Sequence, residues 1–168
     1  LMTILTGRVA LVARGRLGVT ANLIAGVCYI AATLLVYYLL RPVNRSLSLL
    51  AAFFSLVGCA NGVLSSLFHF PRLSFVFFGL HCLLLGYLIF GSTFLPRFVG
   101  ALMALGGLGW LTLGLASLLS PPFARSLSPY ILVPGILGEV SLTVWLLVKG
   151  VNVPQWEEKA SVLWNGRA

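Results

Sequence analysis

The chain has 168 residues, of which 60% are hydrophobic and 8% charged, whereas a soluble domain carries about 25% charged residues. It therefore lacks the side chains to clothe itself in water, and its composition is that of a multi-pass membrane protein. The net charge of +8 is spread singly or in pairs between apolar runs, with no basic stripe interleaved with stacking aromatics, which argues against nucleic acid as a partner.

Residues 1–17 contain "LTGRVALVARGRLG", with Arg8, Arg14 and Arg16 beside Val9, Leu11 and Val12. They read as a basic, amphipathic segment that lies on lipid headgroups, or as the remnant of a longer amino-terminal region. No cleavable secretory signal pattern opens the chain.

Residues 18–150 hold five apolar runs, at 18–40, 47–69, 73–94, 98–119 and 129–149. Each approaches the roughly 20 residues that a helix needs to cross about 30 Å of hydrocarbon. A β-barrel would alternate polar and apolar residues over about ten positions; here the runs are continuously apolar. The expected fold is all-α, a polytopic transmembrane bundle of about five helices embedded in a lipid bilayer.

The connections are "RPVNR" (41–45), "HFPR" (69–72), "FLPRF" (94–98) and "SPPFARSLSP" (120–129). Proline in each breaks the helical pattern, and arginine holds the turn at the interface. Residues 151–168 form a polar carboxy-terminal tail. Five cationic side chains on one side face six on the other, which is too even to orient the bundle by the positive-inside rule. The carboxyl terminus is expected on the cytoplasmic side.

Small residues mark helix contacts. Gly58 and Gly62 form a GxxxG pair in "GCANG", and Gly100 and Ala104 lie four apart in "GALMALGGLGW". Such faces let two backbones approach closely. They serve contacts within the bundle, or with a second copy or a partner membrane protein.

Few polar groups reach membrane depth: Asn61, His81, Tyr87 and Glu139, with Ser141 and Thr143 near the last. Glu139 is the one carboxylate in any run, since the chain has three acidic residues and Glu157 and Glu158 lie in the tail. A carboxylate at the bilayer centre costs about 2.5–3.5 kcal/mol on insertion scales, so it should face inward and be partnered. His81 is about 12 Å deep in its run and Glu139 about 15 Å in its own, which makes the imidazole the natural partner on depth. Such a pair suits a proton relay, and equally a structural hydrogen bond. Pro134, five residues before Glu139 in "VPGILGEVS", is expected to kink the fifth helix.

No catalytic residue stands out: there is no HExxH, no GxSxG and no phosphate-gripping Gly-Lys loop. Cys28, Cys59 and Cys82 fall inside apolar runs at spacings that match no zinc motif, so they read as small hydrophobes. No cofactor and no metal are expected. An intramembrane enzyme or haem protein using His69 and His81 is the least favoured alternative.

Three stretches together, "LLRPVNRSLSLLAAFF" (39–54), "FFGLHCLLLGYLIFGSTFLPRFVGALMALGGLGWL" (77–111) and "ILGEVSLTVWLLVKGVNVPQW" (136–156), resemble the bacterial membrane family called domain of unknown function 4386. The resemblance runs from about residue 18 to residue 156. It implies a helical bundle in the cytoplasmic membrane, with His81 and Glu139 in the family pattern but without an assigned role. It further implies an extra amino-terminal helix and a longer connection before "FFGLHC", so that this chain is expected to be a shortened form. The functional expectation is a small transporter or sensor component with a protonatable His81/Glu139 pair. The alternative is a structural protein that docks a partner through its glycine faces.

Overall fold

The computed structural model describes residues 16–68 and 73–165. These form six helices: α1 (Arg16–Leu40), α2 (Arg45–Phe68), α3 (Ser74–Gly91), α4 (Arg97–Leu119), α5 (Pro121–Val148) and α6 (Val153–Asn165). Among the described residues there is no strand. The basic segment 1–17 lies outside them but for its last two residues, and so do "HFPR" and His69.

Local chemistry sets the helix limits. Asn44 caps α2, its Oδ1 accepting the backbone N–H of Leu47 at 3.0 Å, which satisfies one of the donors a helix start leaves open. Helix α5 closes on Gly150, whose φ of +68° suits only a residue without Cβ; its N–H reaches the Trp145 carbonyl at 3.1 Å.

One expectation is corrected. "SPPFARSLSP" is not a connection: Ser120 alone separates α4 from α5, and the remainder is helix. Pro121 and Pro122 sit in the first turn, where a missing N–H costs nothing and the fixed φ favours helix. Most of the polar tail is helical, as α6.

The five expected runs each fall on a helix, but fewer are full spans. Three helices are long and apolar enough to cross a membrane, in α2, α3 and α4, and α5 makes a fourth if its bent halves count together. In α1 the stretch Ile24–Leu40 is apolar but shorter. Large apolar side chains face outward, such as Leu35 (70% exposed) and Leu147 (80% exposed), as suits a helical bundle in lipid.

The principal contacts run in series, α1 on α2, α2 on α3, α3 on α4 and α4 on α5. The antiparallel α3–α4 seam is built on glycine. A Cβ on Gly107 would stand 2.8 Å from the Leu83 nitrogen and 2.9 Å from the Gly79 carbonyl oxygen. One on Gly86 would stand 2.8 Å from the Gly100 carbonyl oxygen, and one on Gly114 2.9 Å from the Val76 nitrogen. Gly100, Gly107 and Gly114 recur every seven residues, so they share one stripe of α4. The opposite stripe meets α5: a Cβ on Gly106 would lie 3.1 Å from the Pro134 carbonyl oxygen. Gly58 approaches Phe77 of α3, at 3.2 Å from its Cβ. The glycine faces are thus filled by the chain's own helices.

Helix α6 closes one end of the bundle. The Trp156 indole N–H donates to the Leu39 carbonyl at 2.9 Å, and Lys159 Nζ donates to the Gly91 carbonyl at 2.8 Å. Both acceptors lie at helix ends, where carbonyls lack intrahelical partners.

Candidate functional site

A cluster of hydroxyl groups joins α1 to α2. On the α1–α2 seam, the Tyr29 hydroxyl and Ser55 Oγ lie 2.5 Å apart. Thr33 Oγ1 stands 3.2 Å from Ser55 Oγ and donates to the Tyr29 carbonyl at 2.9 Å. Ser55 and Thr33 are both buried. With no water at that depth, hydroxyls are satisfied only by one another or by backbone.

One turn before Ser55, the Ala51 carbonyl faces α3 and meets His81 Nδ1 at 2.8 Å. A carbonyl oxygen only accepts, so Nδ1 carries the hydrogen, and in a neutral ring Nε2 holds the lone pair. The imidazole is buried and leans on Phe78, ring centroids 5.9 Å apart. Phe78 in turn meets the Trp110 indole edge-on, and Phe75 stacks on it, each at 5.6 Å. An apolar aromatic wall therefore runs from α3 to α4 beside the histidine.

Glu139 enters the bundle from α5, beside Leu102 and Met103 of α4. A Cβ on neighbouring Gly138 would lie 2.7 Å from the Leu102 carbonyl oxygen and 3.3 Å from the Met103 Cα. Gly107 packs between Gly79 and Leu83, and Gly100 between Gly86 and Ile89, so Met103 falls opposite Leu84 and Leu85, three to four residues from His81. At about 1.5 Å per residue that offset is about 5–6 Å. Glu139 is half-buried. The hydrogen bond of His81 runs to Ala51 on α2, not to the expected partner Glu139.

The other expected residues lie elsewhere. Tyr87 is 66% exposed on the outer surface. Asn61 is half-buried, with Oδ1 enclosed, but it sits ten residues along α2 from Ala51, about 15 Å away in depth. Ser141 and Thr143 bond back to their own helix, to the Gly138 and Glu139 carbonyls. Helix α5 bends by 42° between Pro121–Ile131 and Val133–Val148, directly before Pro134. Proline has no N–H for the carbonyl four residues back, and its ring crowds that carbonyl. The bend sets the course of the half-helix that carries Glu139.

The Tyr29, Thr33 and Ser55 cluster was not foreseen from the sequence. Its trace is there: Tyr29 and Thr33 are four apart, and Ser48 and Ser55 seven apart, so each pair lies on one helical face. Ser48 Oγ donates to the Tyr37 carbonyl at 3.0 Å on the same seam. Trp110 was also missed. It is 1% exposed, and its Nε1 has no hydrogen-bond partner among the described groups. A Cβ on Gly135 would stand 2.7 Å from that nitrogen. Among the described residues, no three His, Cys, Asp or Glu side chains gather as a metal site would require.

Comparison with known proteins agrees with this architecture. An uncharacterised protein of Archaeoglobus fulgidus is 31% identical over 125 residues, covering 68% of this chain and 72% of its own length. No solved structure matches. The family described as Domain of unknown function (DUF4386) matches residues 5–75 and 72–150, two stretches that meet where the shortened connection was expected. With these matches covering most of its length, the chain belongs to the domain of unknown function 4386 family.

Proposed function

We propose that the protein is a non-enzymatic, multi-pass component of the cell membrane, a small transporter or sensor whose protonatable centre is His81 with Glu139. The observation that supports it is the buried His81–Ala51 hydrogen bond, within the bundle that also holds Glu139. Because Nδ1–H is spent on a backbone carbonyl, the ring takes up or releases a proton at Nε2 without losing its anchor. Glu139 supplies a carboxylate to the same bundle, on a half-helix whose direction is set by a proline bend. Ionisable groups within a membrane commonly mark ion or proton pathways. The α6 end, which carries Arg41, Arg45, Arg97, Lys149 and Lys159, is read as cytoplasmic.

The test is an infrared difference titration of the protein in liposomes between about pH 5 and pH 8, the range in which histidine ordinarily changes charge. Bands of imidazole and of a protonated carboxyl should change together, and Glu139→Gln should remove the carboxyl band and shift the imidazole midpoint. If neither side chain changes protonation, or if Glu139→Gln leaves the histidine titration unmoved, the protonatable centre is refuted.

A further inference from the structure

The seam between α1 and α2 differs from the others. Helix α1 is held to the bundle along one line of polar contacts, Tyr29 and Thr33 to Ser55 and Tyr37 to Ser48. Beside that line the two helices part, leaving a groove of about 470 Å³ open to the outside. Its walls are Leu34 and Tyr37 from α1 and Leu49, Leu50, Phe53 and Leu56 from α2, nearly all apolar and lipid-facing. Ser46 lines it at the end next to the α1–α2 turn.

Two arginines flank that end in the chain, one on each helix, beyond the residues that line the groove. The Arg41 N–H still bonds to the Tyr37 carbonyl at 2.9 Å, so helical spacing holds and Arg41 continues the face of Tyr37. Arg45 opens α2 four residues before Leu49 and extends the face of that wall residue in the same way. Among the described interactions neither guanidinium is paired with a carboxylate. An apolar trough that begins at the headgroup level beneath two uncompensated guanidiniums matches one kind of molecule in charge and shape. A guanidinium binds phosphate through a planar fork of donors, and the trough takes a chain without polar atoms.

We propose that this groove is the binding site of one anionic membrane phospholipid, its acyl chain along Leu34, Leu49, Leu50 and Phe53 and its phosphate on Arg41 and Arg45. The lipid completes the α1–α2 seam, which the protein's own side chains leave open. The site is independent of any proton chemistry at His81.

The test is native mass spectrometry of the delipidated full chain titrated with phosphatidylglycerol and, separately, phosphatidylcholine. One phosphatidylglycerol should be retained per chain, roughly tenfold or more in preference to phosphatidylcholine, as two cations at a lipid surface warrant. Arg41→Gln combined with Arg45→Gln should erase the preference. Arg97→Gln, which removes a charge at the same end but off the groove, should leave it intact. Equal retention of the two lipids overturns the site, and so does a preference that survives the double variant. An equal loss in Arg97→Gln would reduce the effect to general surface charge and overturn it too. If the chain runs as a lipid-free dimer that Phe53→Ser dissociates, the groove is a seam between copies and the lipid proposal fails.

Discussion

His81 Nδ1 lies 2.8 Å from the Ala51 carbonyl oxygen, and that contact pins α3 to α2 through a side chain standing alone among apolar neighbours. The acceptor does not depend on it, because a helical carbonyl also receives the N–H four residues on, here Ser55. His81→Leu should therefore leave no carbonyl orphaned. We expect a loss of about 1–2 kcal/mol, one buried hydrogen bond partly offset by apolar fill, measured by unfolding in mixed detergent micelles. The variant should insert and fold while its proton response disappears. A protein that fails to accumulate would show His81 to be structural before anything else.

The α3–α4 seam gives a sharper contrast between two glycines. Gly107→Ala places a methyl 2.8 Å from the Leu83 nitrogen and 2.9 Å from the Gly79 carbonyl oxygen. Neither is a flexible side-chain end, so the helices must separate. The expected cost is about 1–3 kcal/mol. Gly26→Ala meets nothing within 4 Å and should be neutral or stabilising by up to about 1 kcal/mol, the helix-propensity difference. The same unfolding assay checks both, and equal effects would contradict the close backbone approach.

Pro134→Ala addresses the bend of α5. Restoring an N–H at 134 lets the Tyr130 carbonyl regain its intrahelical bond and removes the ring that crowds it. The 42° angle should fall, read as a lengthened distance between spin labels at Arg125 and Leu147. The Glu139 half-helix should move with it, so the midpoint of any proton uptake should shift as well. An unchanged distance would assign the bend to the packing of Gly106 and Gly109 against α5 rather than to the proline.

The helical class and the places of the five hydrophobic helices were legible in the sequence. Each depends on hydropathy and rise per residue, which are local quantities. The partner of His81 was not legible, because its acceptor is a backbone carbonyl, and every residue carries one. The start of α5 was misjudged since proline ends a helix from within but opens one at the first turn, and composition does not say which turn it is in. The seven-residue recurrence of Gly100, Gly107 and Gly114 is present in the sequence, but Gly106 and Gly109 beside it blur which stripe meets which helix. Tyr87 and Glu139 look alike as polar residues in apolar runs, but only the face each presents separates an outward phenol from a half-buried carboxylate.

Helix α6 supplies the last test, because its anchors are few. Trp156 Nε1–H to the Leu39 carbonyl and Lys159 Nζ to the Gly91 carbonyl each satisfy an acceptor at the end of another helix, on α1 and α3. Trp156 is half-buried and packs against the core cluster, whereas Lys159 reaches its carbonyl at an exposed site, where water competes. Trp156→Phe keeps most of the apolar contact and removes one hydrogen bond worth about 0.5–1.5 kcal/mol. Backbone amides of α6 should then exchange with deuterium several-fold faster, as such a change in opening free energy dictates. Lys159→Met should change the rate less. If Trp156→Phe leaves exchange unaltered while Val153→Ser or Val162→Ser accelerates it, α6 is held by lipid contact of its exposed valines, and the indole bond is incidental to its docking.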